Sequence, residues 1–570
     1  MLYTHVDRRV PVKPPPGPTE GAIAPTWTDK GAYRGGVPAT QPLEPTDLAL
    51  GSFSDHPPWV LSGEPMPWQT GIDSLRRATA ARVPELVRRR KVPPVRRAAV
   101  TGWQLGRALA GWRFVDKRKG DASSARAGLS RRLKDAFGAL GPTYIKLGQI
   151  LSSGEGIFPQ ELVAEFRQLR DRVPPESFAT VRSVVEADFG RPLEEIFATF
   201  EVNPLAAASI AQVHAATLRS GESVVVKVQR PQVAELVRLD LAAMSWIAPV
   251  MVGRIPVAAL ANPPALVDLF AETIVEELDF RLEAQNMLDV ARVLAATDQR
   301  AMIVPRPHPE LITRRVLVME RLSGFAFDDV AGMKAAGVDT SAVVRAGMVG
   351  FLEGAMLFGV FHGDLHGGNL FVQADGRVAL LDYGITGRLD EKRRLAFLRL
   401  VIGATVNDLR GQLAALIDLG ALPEGTDIDQ LIVDLHLDGP PLDPLKITPE
   451  ELLEQLRGFI KGLLAYGARM PKELMLFVKD LLFLDGALGT LAPDVDMFGE
   501  ITHVAEHMAK RHGERIAADV GVDPRGLEID LTGVKASFGL DESTPTITHR
   551  ELQERRRIMR ERFEKRRKKN

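Results

Sequence analysis

Apolar residues recur along this 570-residue chain with two different periods. Over Ser130–Phe189, Gln232–Val252 and Leu266–Ala296 they return every three or four positions, the spacing that gives a helix one apolar face. Between these runs the period shortens. Ile196–Val202, Ile210–Leu218 and Ser223–Gln229 read as three strands, with Arg219-Ser220-Gly221-Glu222 as the turn between the last two. Two more strands are expected near Met302–Val304 and Arg315–Glu320, ahead of a mainly helical C-terminal half. The pattern predicts an α+β chain: a small sheet lobe, then a larger helical lobe.

The two ends read differently. Residues 1–90 hold 14 of the 39 prolines, and proline removes backbone donors, so this segment is expected to be mostly disordered. Trp27, Trp59 and Trp68 lie in it, either packing transiently on the folded body or docking a partner. Residues 87–119 are basic, with Leu105, Leu109 and Trp112 at helical spacing and Val100 and Trp103 nearby. The last 21 residues, Arg550–Asn570, hold 11 Lys or Arg and a thin stripe of Leu552, Met559 and Phe563. Each basic segment is either a solvated face or a peripheral contact with an anionic membrane surface, and for the last one nucleic acid is a further alternative. The resulting division is a Pro-rich segment (1–90), a helical extension (91–190), a sheet lobe with inserted helices (191–323), a helical lobe (324–515) and a tail ending in a basic helix (516–570).

Composition narrows the chemistry. Without cysteine there are no disulfides, no thiolate catalysis and no Cys-ligated zinc. The balance of 72 basic and 73 acidic residues gives no reason to expect a nucleic-acid partner. The N-terminus lacks the apolar core of a secretory signal. The two best candidate spans, Gly347–Phe361 with Glu353 and Leu474–Leu491 with Lys479, Asp480 and Asp485, read as buried helices. The expected location is the cytoplasm, with contact at the inner face of the cell membrane as the peripheral alternative.

The strongest chemical signal is His362-Gly363-Asp364-Leu365-His366-Gly367-Gly368-Asn369, followed 13 residues after Asn369 by Asp382-Tyr383-Gly384. Phosphoryl transfer needs a carboxylate near the attacking group and oxygen ligands for Mg²⁺. An Asp and an Asn five residues apart, then an Asp delivered by a short apolar strand, match the order of a kinase catalytic loop and metal-binding turn. Upstream, Lys227 ends the apolar strand Val224-Val225-Val226, a position suited to the phosphates of ATP. Its carboxylate partner is sought in Glu276–Glu283. If that run is one helix, Asp279 and Glu283 share a face and Glu277 lies about 120° from Glu283, so the carboxylates serve different partners. The glycine loop of an ordinary kinase is missing. Ala206, Ala207, Ala208, Ser209, Ile210, Ala211, Gln212 and Val213 stand there instead, and alanine lacks the positive-φ freedom of glycine. No Ala-Pro-Glu follows Gly384, so no platform for a protein substrate is evident.

Ala206–Ala216 (AAASIAQVHAA), Val224–Pro231 (VVVKVQRP) and Leu140–Gln149 (LGPTYIKLGQ) together resemble the signatures of the UbiB/ADCK (AarF-domain) family of atypical kinases, over roughly residues 130–400. The resemblance implies a kinase-like two-lobed fold with a helical N-terminal extension. It implies that Lys146 and Gln149 form a K-x-G-Q motif lying over the active site, and that Glu277 and Asp279 form an E-x-D motif meeting Lys146. Glu283 would pair with Lys227, Asp364 would take the catalytic-loop position, and Asn369 with Asp382 would hold Mg²⁺. Glu320 would border the adenine through backbone groups. The departures are Leu365 and Gly367 where the family often has proline, Arg170-Asp171-Arg172 where a Gln-Asp pair is usual, and Tyr383 for phenylalanine.

The expected function is therefore an Mg²⁺–ATP-dependent kinase or ATPase acting on water or on a small-molecule or lipid acceptor, in support of isoprenoid-quinone or lipid metabolism. A nucleotide-sensing scaffold with negligible turnover is the reading from a different class, and a Ser/Thr protein kinase is the third.

Overall fold

The computed structural model describes residues 47–558 apart from 90, 118–121, 153–159, 170–172, 252–262, 406–407, 436, 438–461, 464–465, 470, 522–545 and 556, together with 26–27 and 33–34. Most of the first 46 residues, the Arg170-Asp171-Arg172 departure, and the tail from 559 onward with Met559 and Phe563 lie outside the described residues.

The smaller lobe is built on an antiparallel sheet of six strands: β1 (Phe197–Phe200), β2 (Ala206–Ala207), β3 (Ala211–Leu218), β4 (Ser223–Gln229), β5 (Pro307–Ile312) and β6 (Val316–Glu320). Their order is β1-β3-β4-β6-β5, with β2 paired to β3. Strand alternation explains where Lys227 points. Val224, Val226 and Val228 face one core, shared with Val181, Val185 and Leu193. Val225 faces the opposite core, with Phe280 and Met287, and Lys227 has the same parity as Val225. In the ladder Lys227 stands opposite Val213 on one side and Leu317 on the other, in the middle of the sheet. Of the expected strands, the first starts one residue late because Leu193–Ile196 forms a helical turn. Strand β5 was not foreseen, since Pro307 and Pro309 argue against a central strand, and β5 is the edge.

Helices surround this sheet. The N-terminal extension supplies α1 (Ile72–Leu86), α2 (Val95–Gly111), α3 (Ala122–Leu140) and α4 (Pro142–Ser152). Helices α5 (Val233–Met251), α6 (Pro263–Glu276) and α7 (Phe280–Ala296) are inserted between β4 and β5. The larger lobe includes α8 (Thr340–Glu353), α9 (Lys472–Leu491) and α10 (Met497–Val520). Its packing centre is aromatic: Phe477 stacks on Phe351 with ring centroids 4.9 Å apart and meets Phe397 edge-on at 4.5 Å. A second sheet, of four short strands, carries the hairpin Leu370–Val372/Val378–Leu380 that flanks the catalytic-loop motif.

Two sequence expectations are corrected here. The run Leu266–Ala296 is not one helix. It breaks at Glu277–Asp279, where Asp279 is extended (φ −141°) and its carboxylate accepts from Arg281 N as the N-cap of α7. Face-counting through this break does not hold, although Glu277 and Glu283 do end up with different partners. The Pro-rich segment is also not disordered throughout. Residues 47–68 form an extended strap that buries Phe53, Leu61 and Trp68, and α1 follows it. Proline stops this segment from forming regular elements, but it does not stop apolar side chains from being buried. The strap's backbone is satisfied by neighbours: Ser52 N donates to Ala291 O, and Val304 N to Ser52 O. Trp59 donates to Pro307 O.

The basic helix α2 divides its apolar residues. Leu105 and Ala108 are buried against α3 and α5, while Trp103 is 71% exposed, as is Val95 in large part and, just beyond the helix, Phe114. Of its charges Arg97 is engaged with buried Asp240, and just ahead of the helix Arg89 lies over the Trp246 ring. Among the described residues one stretch, Thr340–Phe358, is long and apolar enough to cross a membrane. It is 61% buried, and its Arg345 and Glu353 are paired with side chains of α10.

Candidate active site

The carboxylates and lysines singled out in the sequence converge on one cleft between the lobes. Lys227 Nζ lies 2.7 Å from Glu283 Oε1 and 2.9 Å from Asp382 Oδ1, so one ammonium joins the sheet, α7 and the Asp-Tyr-Gly turn. Both Lys227 and Glu283 are buried. Burial alone would lower the Lys227 pKa, but the charges of Asp382 and Glu283 outweigh it and raise it. Burial likewise pushes Glu283 up to about 7, against the pull of Lys227. For Asp382 burial acts upward, and Lys227 followed by Lys146 overcomes it, leaving the carboxylate low and ionised.

Asp382 has φ +60°, one of three non-glycine residues with positive φ among those described. The turn is fixed around it. Leu381 N donates to Asn369 O, Gly384 N to Asp382 Oδ1 at 3.3 Å, and Asn286 Nδ2 to Tyr383 O at 2.9 Å. Tyr383 is fully buried, and its hydroxyl, which phenylalanine would lack, donates to Leu380 O at 3.2 Å. The departure at Gly367 also has a physical basis, since a Cβ there would sit 2.9 Å from the Phe327 ring.

Lys146, on α4, pairs with Glu277 at 2.8 Å and lines the cleft together with Gln149. Asp279 does not join them. Its carboxylate is bound by Arg281, at 2.9 and 2.7 Å, because its position at the helix N-terminus turns it toward the backbone of α7. Ala207, Ala208, Ser209, Ile210 and Ala211 line the cleft, whereas Ala206 and Val213 lie behind it in the sheet. Gln212 also faces away, its Oε1 accepting from Glu176 N at 2.7 Å. No residue of this loop has positive φ, so alanine fits it without strain. Arg230, from the VQRP motif, holds the loop: Nε donates to Ala208 O at 3.0 Å and its backbone N to Ile210 O. Glu320 does not border the cleft. Its backbone N donates to Arg306 O, and its carboxylate is taken by Ser54 and Arg306 behind the sheet.

The catalytic-loop motif is held from a distance of more than a hundred residues. Asp480, fully buried on α9, accepts from Gly363 N and Leu365 N, each at 2.9 Å. Burial pushes its carboxyl up to about 7 against the charge of Lys479. Lys479 pairs directly with Asp364 and donates to Gly363 O at 3.1 Å. For Asp364 burial acts upward, but Lys479 and then His366 and Lys146 hold it well below the carboxylate range. Lys479 and Asp480 were visible in the sequence only as charges that disqualified an apolar run as a membrane span. That same oddity, two adjacent charges inside an apolar helix, is the signal that could have marked them.

Asn369 is fully buried, its Nδ2 donating to Asp364 O at 3.1 Å while its Oδ1 has no hydrogen-bond donor among the described residues. An orphaned carboxamide oxygen beside the ionised Asp382 turn is the donor set that a hard divalent cation takes, so these residues fit Mg²⁺. Replacing Lys479 with Met removes the cation paired to Asp364 while keeping most of the stem. If Lys479 neutralises charge during phosphoryl transfer, kcat should fall about 10²-fold with little change in nucleotide affinity. A KM that rises with kcat unchanged would instead make it a binding residue.

Comparison with known proteins places the chain among similar sequences. The family model described as ABC1 atypical kinase-like domain matches residues 168–415. The chain is 37% identical over 411 residues to Mycobacterium tuberculosis Rv0647c, covering 71% of this chain and 82% of that one. It is 31% identical over 386 residues to a "Probable protein kinase UbiB" of Xylella fastidiosa, covering 67% of this chain and 70% of that one. Among solved structures, the Mycobacterium tuberculosis protein Rv3197, determined in complex with erythromycin, matches at 22% identity and a TM-score of 0.35, covering 61% of this chain and 91% of that one.

Proposed function

The chain belongs to the UbiB/AarF-domain family of atypical kinases, and from that premise we propose that it binds Mg²⁺–ATP between its lobes and transfers the γ-phosphate to water or to a small acceptor carrying a hydrocarbon chain. The observation that carries the reading is Lys227 held between Glu283 and Asp382 in the same cleft as Asp364, with Asn369 buried behind it and donating to Asp364 O.

In this reading Lys227 orients the α- and β-phosphates and is itself held by Glu283. The Ala207–Ala211 loop covers them. Asn369 and Asp382 hold the magnesium, which when bound neutralises charge on the phosphates. Asp364, ionised, accepts a hydrogen bond from the attacking hydroxyl and aims it at phosphorus. Lys479 offsets negative charge beside Asp364. Lys146 and Gln149 close the cleft from above, so a folded protein substrate finds no platform and a slim acceptor is favoured.

An apolar cavity next to the cleft supports an acceptor with a hydrocarbon chain, such as a lipid or a quinone precursor. Leu105, Leu133, Leu147, Leu151, Phe166 and Met244 are among its walls. Helix α4 separates it from the cleft, presenting Lys146 and Gln149 to one side and Leu147 and Leu151 to the other. The exposed Trp103 and the basic residues of α2 lie on the same extension and suit a peripheral contact with anionic lipid.

The test is phosphate release from Mg²⁺–ATP with and without anionic liposomes. Turnover stimulated several-fold by anionic, and not by neutral, vesicles is the expected result. Tight nucleotide binding with no phosphate release under either condition would leave the nucleotide-sensing scaffold.

A further inference from the structure

We propose that Glu353, His507 and His512 form a binding site for one divalent transition-metal ion, of which zinc fits best, in the larger lobe and apart from the residues that line the nucleotide cleft. Glu353 closes α8. His507 and His512 lie five residues apart on α10. Their Nε2 atoms both address the same carboxylate oxygen, Glu353 Oε1, at 3.0 and 2.8 Å. The three ligand atoms lie within 4.8 Å of one another.

Hydrogen bonding accounts for only part of this arrangement. Glu353 is 1% exposed, yet its second oxygen, Oε2, has no partner among the described residues. Two imidazoles crowd one oxygen while the other is buried bare, and a buried acceptor left unmet is destabilising. A metal ion removes the anomaly, because a carboxylate can share both oxygens with a cation. Ligand–zinc distances of about 2.0–2.2 Å place tetrahedral ligand atoms roughly 3.3 Å apart. The observed N–O separations therefore need to open by only a few tenths of an ångström. Two imidazoles and one carboxylate leave a fourth position for water, a donor set that zinc takes readily. Magnesium and calcium, which seek all-oxygen ligands, do not match it.

The backbone around the site is already shaped for an anchor. Beyond Glu353 the helix widens into a π-turn, Gly354–Phe358, and two arginines take its carbonyls: Arg394 donates to Met356 O and Arg515 to Leu357 O. The turn leads directly to Val360–Phe361 and the catalytic-loop motif at His362. A metal here would fasten α10 to the segment that delivers Asp364.

The test uses the full chain stripped of metal with a chelator and carrying Asp382→Asn, so that the nucleotide cleft does not contribute, in buffer with excess Mg²⁺. One equivalent of Zn²⁺ should bind and raise the melting temperature by several degrees. Co²⁺ substituted for zinc should give the visible absorption of a tetrahedral nitrogen–oxygen site. The double variant His507→Gln/His512→Gln should lose affinity by roughly 100-fold or more while keeping its circular dichroism. If that variant does not fold, X-ray absorption on the zinc-loaded protein decides, since two imidazoles in the first shell are required. No stoichiometric zinc uptake, uptake undiminished in the folded double variant, or a first shell without two imidazoles would each overturn the site.

Discussion

Asp382→Asn should abolish Mg²⁺-dependent ATP turnover, lowering kcat by at least about 10²–10³-fold, while leaving the fold intact. The substitution removes the charge without removing the shape. Asparagine is nearly isosteric, and it tolerates φ +60° better than most residues do, so the turn that Asn286 and Gly384 stabilise should persist. What disappears is the ionised oxygen that Lys227 meets at 2.9 Å, and with it one of the two oxygen ligands proposed for magnesium. Nucleotide affinity measured without Mg²⁺ should change little, and the difference between the two affinities should shrink. Phosphate release at the wild-type rate in Asp382→Asn would remove Asp382 from the mechanism and turn attention to Asp364 and Lys479.

Arg306→Met should destabilise the smaller lobe by about 3–5 kcal/mol, read as a lower midpoint in urea unfolding monitored on the isolated full chain. Arg306 is fully buried and holds two buried carboxylates at once: Asp47 of the strap, at 2.6 Å, and Glu320 at the end of β6, at 3.3 Å. It also donates to Ser54 O at 2.7 Å. Methionine fills part of the volume but leaves both carboxylates facing apolar surroundings. Adding Asp47→Leu to the variant should recover part of the loss, because an unpaired charge goes with it. A loss below about 1 kcal/mol would show that the strap docks through Phe53, Leu61 and Trp68 alone.

What the sequence disclosed depended on distance along the chain. Asp364, Asn369 and Asp382 could be read together because the chemistry constrains short spacings that survive in one dimension. Lys227 was legible because a lysine on an apolar strand requires a carboxylate partner, but the following helices offer several, and Glu283 was singled out among them only by the family resemblance. Lys479 and Asp480 meet the catalytic loop across 115 residues or more, and no local period announces such a contact. Glu320 went wrong for a related reason. It was expected to border the adenine through its backbone, but its N donates to Arg306 O, and the distant Arg306 and Ser54 also claim its carboxylate. Asp279 failed because helix capping, a one-turn effect, outweighed the longer pairing with Lys146 that the motif suggested. The Pro-rich segment failed because composition reports the loss of regular backbone pairing and says nothing of whether aromatic side chains find a surface.

The strap has a kinetic consequence. A two-lobed nucleotide site admits its ligand and lets product leave by rocking one lobe away from the other, and the residues joining the lobes set how easily this happens. Here the strap runs along that junction and is fixed on both sides. Ser54 and Asp47 bind the sheet lobe through Glu320 and Arg306, while Asp55 pairs with Arg377 of the opposite lobe's hairpin at 2.9 Å and Ser52 bonds Met302 O in the same small sheet. It acts as a brace across the hinge. Opening must stretch or shed these bonds, so for the ATP turnover proposed above release of ADP is expected to be slower than the bond-making step.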